Sequence, residues 1–99
     1  MSDIERETFD IDSDFLNLMT MLASSVWCYL GKMQGSASDK IHVDLQNAKI
    51  AIDMLLALRS KTMNNLTKKE EEMLNSTISN LQINYAEEVE KFKLNQKKN

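Results

Sequence analysis

Between Asp44 and Leu74 the chain reads DLQNAKIAIDMLLALRSKTMNNLTKKEEEML, and little else than a helical hairpin accommodates that stretch. On a helix, Leu45, Ala48, Ile50, Ala51, Ile52, Met54, Leu55, Leu56 and Leu58 cover an arc of roughly 240° at 100° per residue. Gln46, Lys49, Asp53, Ala57 and Ser60 occupy the remaining stripe. A helix resting one face on a core needs an apolar stripe only a little wider than about 100°. This one is therefore expected to be covered on two sides, centrally in its own bundle or at a contact with a second chain.

The helix stops at Met63–Asn65, where Asn64 or Asn65 can take the left-handed conformation that ends a helix. Leu66-Thr67-Lys68-Lys69-Glu70 then supplies a capping box, in which Thr67 and Glu70 satisfy each other's backbone amides. Glu70, Glu71 and Glu72 place negative charge at the positive end of the helix dipole. So short a connection makes the two helices antiparallel neighbours. Beyond it, Leu74, Ile78, Leu81, Tyr85, Val89 and Phe92 recur at spacings of three and four as one narrow seam, with Glu87, Glu88 and Glu90 outside it.

Upstream, Phe15–Leu30 reads FLNLMTMLASSVWCYL, a further apolar helix. Asp12, Ser13 or Asp14 can cap it, and Asp12 is favoured because Ile11 and Leu16 would then form a hydrophobic staple. Gly31 closes it. Lys32–Val43, centred on Gly35-Ser36-Ala37-Ser38-Asp39, is a linker long for a bundle. It either bridges the ends of two helices lying parallel or forms a small functional loop. The 99 residues contain no proline and show no period-two alternation of apolar residues. The expected architecture is all-α: helices over 13–31, 44–63 and 67–93, an antiparallel hairpin of the second and third, the first packed over the second, and the whole completed by oligomerisation. An acidic flexible segment (1–12) precedes the helical domain (13–93), and a basic flexible tail (94–99) follows it.

Several features together resemble a known bacterial family: Phe15-Leu16, Leu22-Ala23, Leu30-Gly31, Leu45 with Ala48, Ile52-Asp53 with Leu55 and Leu58, Lys61-Thr62, Asn65-Leu66-Thr67, Glu70-Glu71, Leu74, Leu81 and Tyr85. This looks like the domain of unknown function numbered eighteen forty-four, over about residues 14 to 86. The most specific part is KTMNNLTKKEEEML at 61–74. Family members typically read KTKGNLT there, and Asn64 stands in the glycine's place, as a left-handed position allows. The resemblance implies a small helical bacterial protein without assigned activity, so it carries over no catalytic or binding residue.

Chemistry is sparse. A single cysteine, Cys28, forms no intramolecular disulfide, and with no basic neighbour before Lys32 it reads as a buried inert thiol. His42 and Asp44 offer two ligands where a metal site needs three or four, so neither metal nor cofactor is expected. No phosphate-binding glycine loop or nucleophile elbow occurs. Asp53 reads as a structural partner of Lys49 or of another chain's basic group. Of the seven methionines, Met19, Met21, Met33, Met54, Met63 and Met73 read mainly as core filling, with an adaptable partner surface as the alternative.

The net charge of −3 argues against general nucleic-acid affinity, and the acidic N-terminus does not resemble a signal peptide. The expectation is a non-enzymatic cytoplasmic interaction protein that forms a homodimer or higher oligomer and can engage a further protein partner. Its expected contact residues are Phe15, Leu18, Met19, Leu22, Val26, Trp27, Ile52, Leu55 and Leu56. Two alternatives stand beside it: a peripheral membrane protein using the first helix, which lacks a Lys/Arg-rich polar face, and a nucleic-acid accessory using the basic tail.

Overall fold

The computed structural model describes residues 10–32 and 43–97. Expectations that fall on residues 1–9, on 33–42 (including Met33, the linker centre and His42) and on 98–99 lie outside the described residues. Three helices make up the fold: α1 (Ser13–Tyr29), α2 (Leu45–Lys61) and α3 (Lys68–Lys97), with no strand among the described residues.

Each helix end is fixed by the residues that the local pattern supplies. Asp12 caps α1, its Oδ1 accepting from the amides of Asp14 at 2.9 Å and Phe15 at 3.0 Å. At the other end Gly31 sits at φ 75°. Its amide donates to the Cys28 carbonyl at 3.0 Å, and the Lys32 amide donates to Trp27 at 2.9 Å. These two bonds form a Schellman motif, which puts Gly31 where a Cβ would meet the preceding carbonyl. Gly31→Ala is expected to lower stability by about 1 kcal/mol, read as a fall in the thermal midpoint.

Asp44 caps α2, its two carboxylate oxygens accepting from the Asn47 amide at 3.0 Å and the Asn47 side chain at 2.7 Å. Those bonds hold the Asp44 carboxyl below its ordinary pKa, the backbone amide contributing most. After α2, the Asn65 amide donates to the Thr62 carbonyl at 2.9 Å and closes a turn with Asn64 at φ 67°. Positive φ at the third turn position is the type II arrangement that Gly and Asn tolerate. Thr67 and Glu70 form the capping box, with Thr67 N–H to Glu70 Oε1 at 2.9 Å and Glu70 N–H to Thr67 Oγ1 at 3.2 Å.

Two longer-range bonds decide how the helices lie. The Asp44 amide donates to the Tyr29 carbonyl at 2.7 Å, so the end of α1 meets the start of α2. The Asp12 amide donates to Glu70 Oε2 at 2.7 Å, so the start of α1 meets the start of α3. Hence α2 runs antiparallel to both neighbours and α1 runs parallel to α3. The linker does not have to cross the length of the bundle, because its two ends are already adjacent.

The core lies between all three helices and comprises Met19, Val26 and Leu30 of the first chain segment, Ala48, Ala51, Ile52 and Leu55 of α2, and Leu74, Ile78 and Leu81 of α3. Phe15, Leu16, Ala23, Trp27, Leu56 and Tyr85 pack around its edge. Helix α1 makes its most extensive contact with α2, as expected.

Three features of α3 depart from the sequence reading. The helix continues to Lys97 rather than ending at 93; nothing between Lys93 and Lys97 breaks a helix, and the sequence holds no proline. Glu88, read as facing outward, is 8% exposed and lies in the buried seam. Phe92, read as the last seam residue, is 53% exposed. The exposure of Phe92 follows from length. Thirty residues of α3 extend about 45 Å against about 25 Å for the seventeen of α1 or α2. The seam therefore outruns the helices that cover it, and its final turns project as an arm.

Candidate interaction face

The two apolar helices present one face to α3 and leave another uncovered. On α2, Ile50 and Met54 are 46% and 53% exposed. On α1, Leu18 and Met21 are 44% and 69% exposed. A shallow groove of about 220 Å³ separates the helices, lined by Leu22, Ser25 and Tyr29 of α1 and by Asn47, Ile50 and Met54 of α2. Leu18 and Met21 stand one turn before Leu22 and Ser25, so they extend that face toward the start of α1. Lys49 and Asp53 flank Ile50 and Met54 and pair with each other at 2.9 Å. The bond to Asp53 raises the Lys49 pKa.

The residues anticipated for a contact divide by their position around each helix. Met19, Val26, Ile52 and Leu55 are buried in the core of this chain. Phe15, Leu22, Trp27 and Leu56 are half-buried at its edge, and Leu18 is exposed. The structure adds Met21, Ile50 and Met54 to the uncovered face. For Ile50 and Met54 the signal was present in the sequence as the width of the α2 arc, which exceeds what one core can cover. The methionines follow suit: Met19 is buried and Met73 packs on the core, whereas Met21, Met54 and Met63 are exposed and do not fill it.

Two carboxylates tie α3 to the ends of α1. Glu70, 6% exposed, accepts from backbone amides of both helix starts, and the Thr67 hydroxyl beside it donates to the Asp10 carbonyl. The Asp12 and Thr67 amides hold the Glu70 carboxyl below its ordinary pKa. Glu88 receives Lys91 at 3.0 Å and Lys32 at 3.4 Å. Lys91, and after it Lys32, lower the Glu88 pKa against the opposing effect of burial. Both acids are thus engaged as ionised acceptors within the fold.

Cys28 is half-buried. Among the described residues, no group of three or more His, Cys, Asp and Glu is arranged to hold a metal ion. Among the same residues, no helix is long and apolar enough to cross a membrane.

A three-helix unit with an uncovered apolar face, and with no strand among the described residues, defines a small all-α domain. More specifically, the chain belongs to the DUF1844 family, a domain of unknown function whose profile matches residues 12–87. The match spans all of α1 and α2 and most of α3, and stops before the projecting arm. No curated protein and no solved structure matches the chain.

Proposed function

We propose that this protein is a non-enzymatic helical interaction module of the bacterial cytoplasm that self-associates, as a dimer in the first instance, through the outer face of α1 and α2. The observation that supports this reading is the apolar stripe of Leu18, Met21, Ile50 and Met54, continuous with the half-buried Leu22 and Tyr29. Contiguous exposed apolar surface on a small domain marks an interaction site. Met supplies side chains that adapt to a facing surface. A second copy presents the same stripe, so a twofold pairing covers both at once. Lys49 and Asp53 at its edge are then placed to exchange partners between copies.

Sedimentation equilibrium over a wide concentration range tests the proposal. The expected result is a dimer whose dissociation constant rises at least about 100-fold when Met21→Glu and Met54→Glu are combined, because each copy then buries unpaired carboxylates. Both positions are exposed in the single chain, so the thermal midpoint of the isolated variant should stay within a few degrees of the parent's. A parent chain that remains a monomer at the highest concentration would overturn the proposal.

A further inference from the structure

The ends of the chain carry opposite charge. Residues 1–14 hold Asp3, Glu5, Glu7, Asp10, Asp12 and Asp14 against Arg6 alone, whereas residues 91–99 hold four lysines and no acid. The structure fixes where these ends can meet. The hydrogen bond from Asp12 to Glu70 places the acidic end level with the start of α3. Lys97 lies 27 residue steps past Glu70 along one continuous helix, about 40 Å away. Glu5 is seven residues before Asp12, and a taut backbone of that length reaches about 25 Å. Two extended side chains do not close the difference. For Glu7 the shortfall is larger, with about 18 Å of reach against about 35 Å to Lys93. Within one chain, then, Glu7 does not reach Lys93 and Glu5 does not reach Lys97.

The arm also borders a groove. Val43 and Leu45 at the entry to α2, with Lys91, Phe92 and Asn95 of the arm and Glu88 at its base, line an open groove of about 380 Å³. Val43 and Phe92 are 49% and 53% exposed there. An apolar floor beside Lys91, on an arm that carries further lysines, suits a peptide that alternates apolar and acidic residues. The N-terminal segment has that composition, with Ile4 and Phe9 set among Asp3, Glu5, Glu7 and Asp10.

We propose that the α3 arm binds the acidic N-terminal segment of a second copy of this chain, its apolar side chains in the Val43–Leu45–Phe92 groove and its carboxylates on Lys91 and Lys93. The contact joins two copies and so rests on the self-association proposed above, but it uses a surface distinct from the α1–α2 face.

The test mixes unlabelled and nitrogen-15-labelled full-length chain at a concentration where sedimentation shows the dimer. A carbodiimide then joins carboxylates directly to lysines. Glu7 cross-linked to Lys93, and Glu5 or Glu7 cross-linked to Lys97, should appear as mixed-isotope pairs. Their yield should be at least tenfold above that of the same acids with Lys49, and it should fall at least tenfold in about 1 M salt, where screening acts within about 3 Å. A dimer that yields none of these pairs, or yields them no better than Lys49, overturns the inference and leaves self-association standing. Cross-links from Asp39 to Lys91 or Lys93 in their stead would give the groove to the chain's own 33–42 segment and likewise overturn it. A monomer in sedimentation would remove both proposals.

Discussion

Truncating Leu55 to alanine is expected to lower the unfolding free energy by about 3 kcal/mol. Leu55 is fully buried on α2, the helix with the most extensive contacts to its neighbours, within a core of ten residues. Removing its branched end deletes apolar burial and leaves a cavity that three helices pinned at their ends cannot easily close. The whole stability of such a domain is on the order of 5–15 kcal/mol, so the loss takes a large share of it. Urea unfolding should show a lower midpoint at an unchanged slope. Met54→Ala, one position away but half exposed, should change the stability of the single chain by less than about 0.5 kcal/mol. Equal losses at the two positions would contradict the inside–outside assignment of α2 on which the interaction face depends.

Glu70→Ala should produce the second large effect, about 2 kcal/mol. The carboxylate serves two backbone amides at once, those of Asp12 and Thr67. Alanine leaves both donors without a protein acceptor and detaches the start of α1 from α3. The ionised form is the one these bonds favour, so the folded-state pKa lies below that of the unfolded chain. The stabilisation is therefore complete above the ordinary carboxylate range and is lost as pH falls through the depressed folded-state value. Glu88 has the same sign and adds to the same acid-side loss. The stability gap between the parent and Glu70→Gln should be widest near neutral pH and should shrink below about pH 4, as the parent's own carboxyl becomes protonated. A gap independent of pH would mean that the glutamate acts through packing alone.

The sequence made local devices legible and long-range ones not. The Asp12 cap, the glycine closure at Gly31, the Thr67–Glu70 box and the Leu74–Ile78–Leu81–Tyr85 line all follow from residues within a turn or two of one another. Their physics is complete in a short window. The second oxygen of Glu70 bonds to an amide 58 positions upstream, and no periodicity announces that partner. The bond from Asp44 to Tyr29 likewise spans the linker, and with the Asp12–Glu70 bond it separates the antiparallel arrangement of α1 and α2 from a parallel one. Glu88 was misplaced because a charge run normally marks a solvated face, whereas here Lys32 arrives from the end of α1 to accompany Lys91. The candidate face was half legible for a related reason. Helical spacing shows which residues share a side, but only the neighbour's position tells which side is covered. Ile52 and Leu55 therefore fell inside, while Ile50 and Met54 on the same apolar arc remained outside.

The link from Asp12 to Glu70 also sets an order of events in time. Synthesis delivers α1 first, yet the last backbone bond at its entry must wait for a side chain 58 residues behind it. Until that glutamate emerges, α1 has its own Asp12 cap and only α2 to pack against, and its core-facing residues Met19, Val26 and Leu30 have no complete surface to enter. The hairpin of α2 and α3, built from contacts close in sequence, can form as soon as both its arms are available. The core is complete only once α3 lies against both earlier helices and Glu70 takes up the Asp12 amide, so the entry of the first-made helix is the last place to be sealed.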